Sequence, residues 1–146
     1  MSWPRSIVLG VLIGFLAVQL IPYGHSHHNP AVTKSPRWDS PRTQQLFAGA
    51  CGDCHSNQTS WPWYSYVAPS SWLVRHDVDD GREAMNVSHW DQPQPDSGEL
   101  AEQIQGGEMP PTQYKIIHGA ARLSAAEKAA LVRGIQRTWA ADPSGR

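Results

Sequence analysis

Apolar positions are distributed unevenly along this chain. Residues 7–21 (IVLGVLIGFLAVQLI) form an apolar run broken only by Gln19. As a helix, a run of that length reaches roughly 22 Å, short of the ~30 Å hydrocarbon core of a bilayer. Trp3 and Tyr23 bracket it as interfacial anchors and lengthen it, and Arg5 precedes it. The pattern predicts an uncleaved signal anchor over residues 1–23, a single-pass transmembrane helix with the rest of the chain on the extracytoplasmic (periplasmic) side. A cleavable secretory signal is the alternative, but Leu20-Ile21-Pro22-Tyr23 offers no small-x-small cleavage site. Residues 24–39 are rich in His, Pro and Ser and lack periodicity, which predicts a solvated linker.

Helical patterning dominates from residue 40 to residue 141. Ser40-Pro41 is a helix start, with Ser as N-cap and Pro at the first helical position. Leu46, Phe47 and Ala50 then face a core. Pro69-Ser70 opens a second helix over about 71–86, with Trp72 and Val78 inward and Gly81 as a possible interruption. Asp96 and Glu99 frame a short helix through Gln105 that Gly106-Gly107 ends. Ser124 and Glu127 form a capping box for a last helix to about Trp139, where Leu131, Ile135 and Trp139 make an i, i+4, i+8 stripe. Residues 142–146 read as a frayed tail. The expected architecture is all-α: one small helical domain over residues 40–141.

The chain has 146 residues and a formal net charge of −1, with no strongly basic block, which argues against a nucleic-acid partner. A domain this small has a limited core of its own. Both cysteines fall in Cys51-Gly52-Asp53-Cys54-His55, the pattern of a c-type haem attachment site. Positions i, i+3 and i+4 share one helical face, so two thiols and an imidazole can meet one flat ligand together. The sulfurs would form thioethers to the haem vinyl groups and His55 would ligate the iron. The rival readings are weaker. A thioredoxin-like redox pair needs alternating strands and helices. A structural zinc site needs two further ligands. A disulfide across two residues is strained and leaves His55 without a role.

A second informative stretch is Gly106-Gly107-Glu108-Met109-Pro110-Pro111. Two prolines hold Met109 in rigid extended backbone, and it lies 54 residues beyond His55. Met109 is the expected sixth ligand, with His118, His76 or an open position as alternatives; Met85 sits in a helical pattern where Met is ordinarily core filler. Seven tryptophans are present, several just after the haem motif. Trp61, Trp63 and Tyr64 are expected to wall the haem, with ordinary core packing or a docking patch as alternatives.

Taken together, these stretches resemble the haem-binding-domain family, small membrane-anchored bacterial proteins with one Cys-x-x-Cys-His motif. The resemblance rests on Gln19 to Pro22, Asn29-Pro30, Cys51 to Asn57, Trp61 to Ser65, Ala68-Pro69 and Trp72. It continues through Gly81-Arg82, Trp90, Met109-Pro110-Pro111, His118 and Leu123-Ser124, spanning residues 19 to about 139. One departure is Ala31, after Asn29-Pro30, where members often carry a second Pro. The resemblance implies one covalent haem c in an anchored, cytochrome c-like domain. The expected function is single-electron transfer outside the cytoplasmic membrane by a mono-haem protein that is not an enzyme. The alternatives are a peroxidase-like enzyme and a haem sensor, either with an open or replaceable sixth ligand. Nothing in the chain identifies a redox partner.

Overall fold

The computed structural model describes residues 3–145; Met1, Ser2 and Arg146, which end the expected anchor and tail, lie outside the described residues. Seven helices follow in order: α1 (Trp3–Val18), α2 (Pro41–Ala50), α3 (Gly52–His55), α4 (Ser70–Ala84), α5 (Ser97–Gly106), α6 (Thr112–Ile117) and α7 (Ala125–Ala141). Short 3-10 turns at Trp63–Tyr66 and Gly119–Ala121 complete the set. Among the described residues the only extended pairing is an isolated bridge between Lys34 and His89. The all-α expectation therefore holds for the domain.

The expected transmembrane helix does not. The 16 residues of α1 reach about 24 Å, and no helix among the described residues is long and apolar enough to cross a membrane. The cause lies where the helix stops. Gln19 turns its amide onto the domain: Nε2 donates to the Ala68 carbonyl at 3.0 Å, and Oε1 accepts from the Ala68 N–H at 2.9 Å. The backbone tightens to i→i+3 bonds over residues 16–21, and Pro22 bars any continuation. The expected extension from Trp3 to Tyr23 is lost, so the structure does not support a spanning helix there.

The segment over residues 24–39 lies along the domain and is tied to it by hydrogen bonds. His27 Nε2 bonds the Ser65 carbonyl, Asn29 Nδ2 donates to the Thr59 carbonyl, and Thr33 N–H donates to the Ser88 carbonyl. The Arg37 N–H donates to Asp142 Oδ2 at 2.7 Å, and Asp39 accepts from Arg137. Such sparse, side-chain-mediated bonding leaves no periodicity in the sequence.

Packing follows the caps. Ser40 accepts from the Thr43 N–H at the start of α2, Asp96 from the Gly98 N–H at α5, and Ser124 and Glu127 close a full capping box at α7. Helix α2 crosses α7 where Gly134 lies directly against Thr43; a Cβ there would overlap the threonine side chain. Helix α5 packs on α7 and α3 on α4. Trp90, Leu131 and Ile135 are fully buried at the centre. The Trp90 ring meets Trp139 edge-on at 4.5 Å, and its Nε1 donates to the Asp142 carbonyl at 2.9 Å, which satisfies the indole in a closed core.

Candidate functional site

Helix α2 runs almost directly into the cysteine motif. The Cys51 N–H still donates to the Phe47 carbonyl at 2.8 Å, and the Cys51 carbonyl accepts from the His55 N–H at 2.9 Å. The motif is thus one short helical turn, α3, and Cys51, Cys54 and His55 all line the same cavity. Helix α4 lies hard against that turn at Gly81. A Cβ on Gly81 would come within 2.7 Å of the Cys54 carbonyl oxygen and 2.8 Å of Cys54 Cβ. Glycine here is a packing requirement, and α4 runs through it unbroken.

That close approach orients the histidine. His55 Nδ1 lies 2.8 Å from the Gly81 carbonyl oxygen and 3.2 Å from that of Met85. Carbonyl oxygens only accept, so Nδ1 carries the proton and Nε2 keeps its lone pair. Desolvation pushes the His55 pKa below its ordinary value, against these two bonds. A neutral imidazole with Nδ1 held from behind is the form that binds a metal through Nε2. Burial pushes the Cys51 and Cys54 thiols up to about 12. The neighbouring Cys54 adds to the rise at Cys51, and Asp77 and Asp53 to that at Cys54.

The cavity has a volume of about 430 Å³, within the ~300–1,000 Å³ usual for small-molecule and cofactor sites. One wall is α3 and α4. The other comes from α5 and the segment that follows it, with Leu100, Ile104, Met109 and Pro110; Phe47 and Ile135 close the back. Among the described helices, the backbones of α3 and α4 do not approach those of α5 and α6; the Tyr114 side chain reaches across to Asp53. Met109 is placed by its N–H, which donates to the Gln103 carbonyl at 3.1 Å after the chain turns at Gly107 (φ +83°). Met85 also reaches the cavity, but its carbonyl stands behind His55 and its side chain is buried on that same wall. Two thiols and a neutral imidazole on one wall, a thioether on the other and apolar side chains between them fit a haem.

The remaining expected residues stand elsewhere. Trp61, Trp63 and Tyr64 are not part of the cavity wall. Trp61 Nε1 donates to Asn29 Oδ1, and Trp63 is 79 % exposed. The Tyr64 hydroxyl meets His118 Nε2 at 3.2 Å. His118 lies outside the cavity, stacked on Tyr114 at 3.8 Å. His76 is 62 % exposed on the outer face of α4, paired with Asp80. Sequence reasoning did not see what three positions do: Gly81, weighed as an interruption of α4, and the pair Asp53 and Tyr114. The Tyr114 hydroxyl donates to Asp53 Oδ2 at 2.7 Å, a partner 61 residues away that no local spacing signals.

No curated protein and no solved structure matches this chain. The family model described as the haem-binding domain does match, over residues 13–137. That span includes both walls of the cavity, and it supports haem as the bound cofactor. The chain belongs to the haem-binding-domain family.

Proposed function

We propose that this protein is a mono-haem c-type cytochrome that carries single electrons on the extracytoplasmic side of the cytoplasmic membrane. The observation that carries the reading is that Cys51, Cys54 and His55 of the cysteine turn and Met109 of the segment after α5 all line one cavity. In this reading Cys51 and Cys54 hold the haem covalently. Each thiol would add across one vinyl group, the sulfur to one vinyl carbon and the thiol hydrogen to the other, so that nothing is lost. His55 would offer Nε2 to the iron while the Gly81 and Met85 carbonyls hold its ring. Met109 would supply a thioether ligand, which favours the ferrous state relative to a second histidine. When bound, the haem iron supplies a one-electron ferric–ferrous couple; the apolar walls exclude water and hold the ligands in place through the change.

An enzyme of peroxidase type needs an acid–base group within reach of a ligand on the iron. His118 and His76 stand outside the cavity, while Asp77, Asp80 and Glu99 line it, so the carrier reading rests on Met109 as a ligand and not on the lack of an acid–base group. Covalent attachment outside the cytoplasm is supported by the Cys-x-x-Cys-His motif, the substrate of c-type haem maturation. The test is extraction with acidified acetone after expression with c-type maturation. Wild-type haem is expected to stay with the protein, raising its denatured mass by one haem, and Cys51→Ala with Cys54→Ala is expected to release it. Free extraction from the wild type would contradict covalent attachment.

A further inference from the structure

The segment carrying Met109 has few attachments of its own. Beyond the Met109 bond to Gln103, Lys115 Nζ reaches back to the Gly107 carbonyl at 3.4 Å. Both bonds are local. Among the described elements, α6 packs only on the turn at Gly119–Ala121, and Ile116 and Ile117 face outward. Nothing in this local packing would hold Met109 against a ligand in the cavity.

One side chain of α6 crosses instead to the opposite wall. Tyr114, which lines the cavity, donates its hydroxyl to Asp53, between the two cysteines. Both ends of this bond are fixed from behind. Asp53 Oδ1 accepts from the Ser60 N–H at 2.9 Å, and the Asp53 carbonyl accepts from Thr59 Oγ1 at 2.6 Å. The Tyr114 ring stacks on His118, whose Nε2 meets the Tyr64 hydroxyl. His118 Nδ1 bonds the Tyr114 carbonyl at 3.1 Å, so Nε2 is the acceptor and Tyr64 the donor. A rigid line from Tyr64 through His118 to Tyr114 therefore ends on the haem-attachment turn.

We propose that the Tyr114–Asp53 hydrogen bond is a latch that closes the Met109 segment over the cavity and keeps the Met109 thioether on the iron. Tyr114 and Asp53 are positioning residues, and the latch rests on the reading of Met109 as ligand. A hydrogen bond to an ionised carboxylate shifts a closed–open equilibrium by roughly 10- to 100-fold. Carbon monoxide binds ferrous iron only when Met109 has left, so its binding rate reports the open population.

The experiment compares the full-length holo-protein with Met109→Ala, Tyr114→Phe and Asp53→Asn. Two readouts are taken: the far-red methionine-to-ferric-iron band and the rate of carbon monoxide binding to the reduced protein. Tyr114→Phe is expected to keep its covalent haem, weaken the band and bind carbon monoxide about 10- to 100-fold faster, toward the Met109→Ala limit. Asp53→Asn moves the rate the same way by less, since a neutral acceptor remains. The double variant adds little to Tyr114→Phe alone. A purely structural tyrosine would lower the melting temperature and leave both readouts unchanged; that result overturns the latch. Should Tyr114→Phe yield no holo-protein, Asp53→Asn decides by the same two readouts. A wild type without the methionine band sinks the Met109 assignment and the latch together, whereas a wild type with the band and unchanged variants sinks the latch alone.

Discussion

His55 is fitted to act as a ligand by what stands behind it. The two carbonyls at its Nδ1 fix the tautomer and the ring plane, and both belong to the end of α4. Their position depends on Gly81 touching the cysteine turn. Gly81→Ala would force α4 off α3, an overpacking that costs about 1–3 kcal/mol, and would move both acceptors. The expected outcome is a lower melting temperature and a lower haem-to-protein absorbance ratio after maturation. A Gly81→Ala protein as stable and as haem-rich as the wild type would contradict this account of His55. The cysteine motif was legible because its chemistry lies within five consecutive residues. Gly81 was misread because its constraint comes from Cys54, across a helix interface that no spacing along the chain encodes.

At the scale of elements, the caps carried most of what could be read in advance. Ser40, Asp96 and Ser124 each begin a helix as their side chains dictate, because capping is settled within four residues. The segments that long-range bonds place were the least legible. Residues 24–39 lie along the domain through single hydrogen bonds, and α1 ends early because Gln19 finds Ala68, 49 residues away. The aromatic stretch after the haem motif folds into a 3-10 turn beside α4, with Trp63 facing out; aromatic composition marks burial or contact but not which wall. One of these long-range ties can be tested by pH. Asp142, just past α7, accepts from the Arg37 backbone N–H, with the Arg37 guanidinium beside it. These hold its pKa below the ordinary 3.8. A carboxylate depressed by folding stabilises the protein above its unfolded pKa and loses that contribution as pH falls through the folded value. Asp142→Asn is therefore expected to cost about 1 kcal/mol near neutral pH, with the gap to wild type closing below about pH 4. A gap that stays constant into acid would show that the charge is not what the tie uses.

At the scale of the whole molecule, α2 and α7 form a fixed frame and the haem completes the interior. Phe47 and Ile135 belong both to the core and to the cavity's back wall, so filling the cavity extends the core rather than occupying a separate pocket. The two walls come from stretches about fifty residues apart, and the Tyr114–Asp53 hydrogen bond ties them directly. This explains why Met109 was readable as a candidate but not as a certainty from sequence. The Met–Pro–Pro context announces a rigid loop, while its place in the cavity that His55 lines depends on how α5 docks on α7. The most direct measurement is the visible and near-infrared spectrum of the purified holo-protein beside Met109→Ala. The account predicts a low-spin wild type with a methionine-to-iron band, and a variant that loses the band, turns high-spin and binds carbon monoxide when reduced. A wild type already high-spin, or a Met109→Ala spectrum identical to it, would contradict ligation by Met109 and return the carrier reading to its rivals.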